Sequence, residues 1–331
     1  MTDTPVSTPE RPPLIDPAYD QPVMHFCFDA TGRQVAPDSA DFAFEWVHLK
    51  RGTDEADAWL MNSGFGPLVI SALTAEETRP RCTVDEAGTL LILRGVNLAV
   101  GAEPEDMVSV RFFVAGQRVV SVWRRALLSL NDLFAAVARG HGPTSPGDLL
   151  AKVALRLADR AEPIVATLND RVDDLEDAVL DADASALRRD LADVRRMSIL
   201  IRRFMFPQRD ALTTLEIEDV DWLHRHDRNR IREAVERTTR LAEELEAIRD
   251  RATVVHEQIM DMRAELMNRN MFMLAIVTTV FLPLGLLTGL LGINVGGIPG
   301  ADDPSAFWVV CALLGAMVVG QLALFRRMRM F

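Results

Sequence analysis

Met271-Phe-Met-Leu-Ala-Ile-Val-Thr-Thr-Val-Phe-Leu-Pro-Leu-Gly-Leu-Leu-Thr-Gly-Leu-Leu291 contains no charged residue. As an α-helix it would run about 31 Å, enough to cross the hydrocarbon core of a bilayer. A second such run, Phe307 to Phe325, would cover about 28 Å. Buried helices of this length in a soluble core normally keep a polar stripe, and neither run has a charged one. The two segments therefore read as transmembrane helices. Arg263 and Arg269 precede the first, Arg326, Arg327 and Arg329 follow the second, and the loop Gly292 to Ala306 has neither Lys nor Arg. By the positive-inside rule both termini are expected in the cytoplasm, with the hairpin in the inner membrane and lipid as its surroundings. Asp302 and Asp303 in the loop would form an outer, cation-attracting ring if several copies assembled.

Outward from this hairpin, the 331-residue chain is 49% hydrophobic and 25% charged, and the apolar excess sits in its last sixty positions. The net charge of −12 opposes nucleic-acid binding, which needs a basic face against phosphates. Cys27, Cys82 and Cys311 share no short metal-ligand spacing and are expected to be reduced and structural. Residues 1–20, proline-rich and without a signal-peptide pattern, read as a disordered tail. From 21 to 142, β-rich runs at Thr89–Leu93, Val108–Val114 and Val119–Trp123 alternate with helical composition at Asp54–Asn62 and Leu128–Ala138, which gives an α/β or α+β domain. The breaker cluster Arg139–Thr144 marks a domain boundary, and after it Ser145 reads as an N-cap with Pro146 at the first helical position and Asp148 in the first turn. Within the helical region 145–220, helices are expected over about 146–181 and about 184–206, the second ending at Pro207. No Gly or Pro follows from Asp221 until Pro283, so a stalk helix beginning near Asp221 can run unbroken to Leu291, about 105 Å.

Counting in sevens along that helix, Asn268 leads to Asp261, Ala275, Leu282 and Gly289, and Met271 leads to Glu257, Ala264, Thr278, Gly285 and Gly292. This stripe is small and polar on an otherwise bulky helix. Spacing alone allows two readings, close helix packing or the wall of a water-filled conduit. One helix cannot enclose water, so the second reading requires a closed ring of identical subunits.

Asn268-Arg269-Asn270-Met271, Val277-Thr278-Thr279-Val280-Phe281-Leu282-Pro283 and Leu287-Thr288-Gly289-Leu290-Leu291-Gly292-Ile293-Asn294 together resemble the CorA-type divalent-cation transporters, whose pore helix carries a mid-helix proline and ends in Gly-Met-Asn. Here that triplet is Gly292-Ile293-Asn294, and its continuation Val295–Gly300 is similar to the zinc-transporter, ZntB-like branch. The resemblance implies a funnel-shaped homopentamer with an α/β domain, a long-helix stalk and two C-terminal spans, the first lining the pore. It places Asn294 at the outer selectivity position and Gly289, Gly285, Leu282, Leu274 and Asn268 along the pore. A carboxamide at the mouth can accept hydrogen bonds from the water of a hydrated dication without trapping the ion as a carboxylate would.

Glu257 and Asp261 lie nearest the inner mouth, whereas Glu243 and Asp250 alternate with arginines as a salt-bridged surface does. His224-Arg225-His226-Asp227 offers histidines at alternate helix positions, which do not face one way, so a surface role is expected. The chain has no phosphate loop and no hydrolytic triad, and it is not expected to be an enzyme or to hold a permanent cofactor. The expected function is passive or proton-coupled transport of a divalent cation, zinc first. Alternatives are a magnesium, cobalt or nickel channel of the same family, and a membrane-anchored binding or sensor protein.

Overall fold

Side-chain alternation builds the first half of the molecule. The computed structural model describes residues 19–76, 78–99, 101–125, 127–179, 184–293, 298, 300 and 303–327. In it, β1 (Val23–Asp29), β2 (Phe42–Lys50), β3 (Arg81–Asp85), β4 (Gly88–Gly95), β5 (Val108–Ala115) and β6 (Arg118–Trp123) form one six-stranded sheet in the order β1-β2-β6-β5-β4-β3. Only β2 and β6 pair in parallel. Because successive residues of a strand point to opposite faces, Met24, Phe26 and Phe28 enter one core while Val47, Leu49, Val120 and Val122 enter another. Helices α1 (Asp54–Met61) and α2 (Pro67–Thr74) cover the second face through Leu60 and Leu73. The first face is covered by α3 (Leu128–Ala138), α4 (Pro146–Ala178), the end of α5 (Ala184–Ile217) and the start of α6 (Arg225–Gly292). At the β3–β4 turn, Gly88 lies against the Val114 carbonyl with φ +146°, where no side chain would fit.

The three strands and two helices anticipated over 21–142 are present, and the structure adds β1, β2, β3 and α2. Ser145 caps α4, its Oγ accepting the Asp148 N–H at 2.9 Å. Asp148 is buried, accepts the Thr144 N–H at 3.0 Å, and pairs with Lys152 at 2.7 Å and with Arg230 of α6. The Ser145 hydroxyl donates to buried Asp227 at 2.7 Å, which ties the start of α6 to the start of α4.

Three expectations are corrected. One hydrophobic core runs from Met24 through Leu150 to Ala234, so the segment 139–144 turns the chain within a core and does not divide two cores. Pro207 does not end α5, which continues to Ile217. Beyond the proline, Ala211, Leu212 and Leu215 are buried against the sheet and Gln208 Oε1 accepts the Arg94 N–H of β4 at 2.7 Å. That packing outweighs a penalty of about 3 kcal/mol for a proline inside a helix. Helix α6 starts at Arg225, because Leu223 leaves the helical path to enter the core.

The chain divides into two compact units, the first ending at His256 and the second beginning at Glu257. The second unit contains the rest of α6 and α7 (Ala306–Arg327), both long and apolar enough to cross a membrane. Residues 1–18 of the expected tail, Asn294, Asp302 and Arg329 lie outside the described residues.

Candidate ion-conducting helix

Within the second unit, α6 has one partly covered face. Phe272, Ile276, Val280, Pro283, Leu284 and Leu287 are half-buried, spaced three and four residues apart, while their neighbours are exposed. Helix α7 carries the matching stripe, with Ala306, Val310, Leu314, Met317, Val318 and Gln321 half-buried and Phe325 buried. The two stripes cover each other, and one polar contact fixes their register. Gln321 Nε2 donates to the Thr279 carbonyl at 3.1 Å. Thr279 is four residues before Pro283, so its carbonyl is the acceptor that the missing proline N–H would have filled. A side chain of α7 thus supplies the hydrogen bond that α6 lacks at its proline. Gln321 Oε1 is itself buried without a partner among the described residues. The sequence reading passed over Gln321, whose signal was a lone carboxamide inside an apolar span.

The row Met271, Thr278, Gly285 and Gly292 lies about half a turn round α6 from the covered face, with Asn268, Ala275, Leu282 and Gly289 flanking it. Every one of these residues is exposed, and so are Leu274 and Ile293. Apart from the adjoining residues and the backbone of α6 itself, no atom of the described residues stands within 4 Å of where a Cβ would sit on Gly285, Gly289 or Gly292. The glycines therefore do not serve to bring α6 and α7 of one chain together, and the small-residue stripe faces away from the chain's own hairpin. The Thr278 hydroxyl donates to the Leu274 carbonyl at 2.8 Å, which satisfies its proton and leaves oxygen lone pairs on the open face. No Cys, His or carboxylate occurs between Met267 and Gly292, so this wall can contact a hydrated ion but offers no thiolate, imidazole or carboxylate to a bare one.

Before the apolar run of α6, Glu257 and Asp261 are exposed and form no ion pair among the described residues. Asp250, seven residues before Glu257, is paired with Arg249 at 2.6 Å. In the loop before α7, Asp303 Oδ1 accepts the backbone N–H and the hydroxyl of Ser305, both at 2.8 Å, and these bonds hold its pKa below the usual carboxylate range. It stays ionised just before α7, with its second oxygen open to cations. His224 and His226 are exposed and, among the described residues, are not gathered with other metal-binding side chains.

The model of the family described as CorA-like Mg2+ transporter protein matches residues 41–327. A divalent cation transporter of Pseudomonas aeruginosa, CmaX, is 42% identical over 287 residues, 86% of each chain. The zinc transport protein ZntB of Pectobacterium atrosepticum is 36% identical over 276 residues, 83% of this chain and 84% of its own. A solved structure of full-length CmaX aligns with a TM-score of 0.80 at 36% identity, covering 93% of this chain and 98% of the other.

Proposed function

The chain belongs to the CorA-like Mg2+ transporter family and is a divalent-cation transporter, not an enzyme; from that premise we propose that it carries zinc across the inner membrane through a pore lined by α6. One observation carries the reading. The small-and-polar stripe of α6 lies opposite the face that α7 covers, with open space around its glycines. A ring of identical chains, five in the proposed assembly, would turn that stripe toward a common axis and leave α7 outermost, against lipid.

In this arrangement the termini are cytoplasmic. Glu257 and Asp261 form the inner mouth, Met271 to Gly292 the wall, and Ile293, Asn294, Asp302 and Asp303 the outer mouth. The ion crosses with water attached, because the wall offers threonine oxygens and backbone but no carboxylate or thiolate. Carboxylates at both ends raise the local cation concentration, and Asn294 holds the hydration shell weakly enough for release. Leu274 and Leu282 repeat as apolar collars, where a dry constriction resists a hydrated dication. The 36% identity with a zinc transport protein favours zinc.

The test is flux into liposomes containing the purified full chain and a zinc-sensitive dye, with and without a pH gradient. Zinc uptake above empty liposomes is expected, and faster uptake with protons moving the same way would establish coupling. Flux of magnesium without zinc would overturn the cargo, and no flux of any divalent ion would overturn the pore.

A further inference from the structure

β1 is an edge strand, and its face on the α1–α2 side of the sheet carries chemistry that transport through α6 does not use. His25 and Cys27 are two residues apart, so they share the face opposite Met24, Phe26 and Phe28. Across the antiparallel pairing Cys27 stands opposite Glu45 of β2. His25 Nε2 lies 2.7 Å from Glu45 Oε2 and 3.7 Å from Cys27 Sγ, and the three donor atoms are all within 4.8 Å of one another. The thiol is recessed, Cys27 being 4% exposed, while the imidazole stands at the rim with 45% of its side chain exposed. The other carboxylate oxygen of Glu45 is held by Arg118 of β6. No other set of three His, Cys, Asp or Glu side chains gathers this way among the described residues.

We propose that His25, Cys27 and Glu45 bind a divalent ion of the zinc and cobalt class at the β1–β2 edge of the sheet, on the face that carries Val47 and Leu49. A four-coordinate ion with bonds of about 2.0 Å to nitrogen and oxygen and about 2.3 Å to sulfur sets its donors about 3.3–3.6 Å apart. The sulfur–nitrogen spacing is already of that size, and the imidazole–carboxylate hydrogen bond needs to open by only about half an ångström to admit the ion. On binding, the imidazole proton that Nε2 gives to Glu45 moves to Nδ1, which frees the Nε2 lone pair for the metal, and the thiol releases its proton to solvent. Thiolate and carboxylate then balance the 2+ charge, and water from the exposed side completes the shell. Arg118 fixes the carboxylate from behind as an outer-shell partner. A thiolate with an imidazole suits zinc and cobalt and gives no advantage to magnesium, which demands six oxygens. The site belongs to the first unit and shares no residue with α6.

Cobalt titration of the metal-free, detergent-solubilised full chain tests it. A thiolate-to-cobalt charge-transfer band in the near ultraviolet is expected, bleached by zinc and indifferent to excess magnesium. Cys27→Ser should abolish the band, while Cys82→Ser and Cys311→Ser should leave it intact. His25→Ala, at a half-exposed side chain whose loss leaves the core untouched, should weaken cobalt binding about tenfold or more, since removing a ligand costs no less than removing the group that orients one. Absence of the band in the unaltered chain, or its survival in Cys27→Ser, would overturn the assignment. Because the readout is binding, it is independent of whether the chain conducts zinc.

Discussion

His48 is 1% exposed, stacked on Trp123 with ring centroids 5.7 Å apart, and its Nδ1 lies 2.6 Å from Ser121 Oγ. The same Ser121 oxygen accepts from Trp46 Nε1 at 2.6 Å and donates to the Val47 carbonyl at 3.5 Å. Burial drives the His48 pKa down from 6.5 to about 3. The unfolded chain therefore takes up a proton below pH 6.5 that the folded chain refuses, and stability falls as pH drops through that window. Between pH 6.5 and 5, where few carboxylates titrate, the loss from this residue is about 2 kcal/mol. Thermal unfolding of the full chain followed by near-ultraviolet circular dichroism should show this slope in the unaltered protein and a much flatter one in His48→Phe. Equal slopes would mean that water reaches His48.

At the scale of the element, α6 crosses its proline because α7 repairs it. Replacing Gln321 by Leu would strand the Thr279 carbonyl in apolar surroundings, at a cost of about 1–2 kcal/mol. Pro283→Ala restores the backbone N–H, so Gln321→Leu should cost little in that background. A double-mutant cycle on unfolding in detergent checks this, and strictly additive losses would remove the proposed link. The same proline sits beside Leu282, whose side chain is 71% exposed on the open face. Replacing Leu282 by Ser should raise resting cation leak in liposomes, since hydroxyls wet a collar that leucines keep dry. The matching change at Leu284, half-buried on the α7 side, should lower stability without leak. Equal leak from both variants would show that the faces of α6 are wrongly assigned.

For the whole molecule, the second unit leaves Leu274, Phe281, Leu282, Leu286, Phe307, Trp308 and Val319 each more than 60% exposed in a single chain. A surface of this kind is stable only in lipid or against other copies. Gly285 separates these two covers, because among the described residues nothing beyond α6 itself is within 4 Å of a Cβ placed there. Gly285→Leu should therefore leave helicity by far-ultraviolet circular dichroism unchanged while, in the proposed pentamer, reducing both divalent-cation flux and the oligomeric mass seen by light scattering. A pentamer that conducts normally with leucine at 285 would place that face in lipid and the conduit elsewhere.

The chain's sequence determined by itself whatever depends on local period and composition. Two uncharged runs of membrane length, the cap at Ser145, the uninterrupted path of α6 and the heptad seam through Gly285 all follow from residues close together in the chain. Tertiary structure decided what depends on register between distant segments. Pro207 stays helical because Gln208 and Leu212 are held on the sheet, an effect larger than the local proline penalty. Which face of α6 is covered, and that Gln321 meets the Thr279 carbonyl 42 positions away, follow from how two uniformly apolar helices lie together. His25, Cys27 and Glu45 meet because β1 pairs with β2 in one register, and a slip of one residue would send Glu45 to the opposite face from the thiol. Periodicity fixes which residues share a face, but only packing against a partner segment fixes what that face meets.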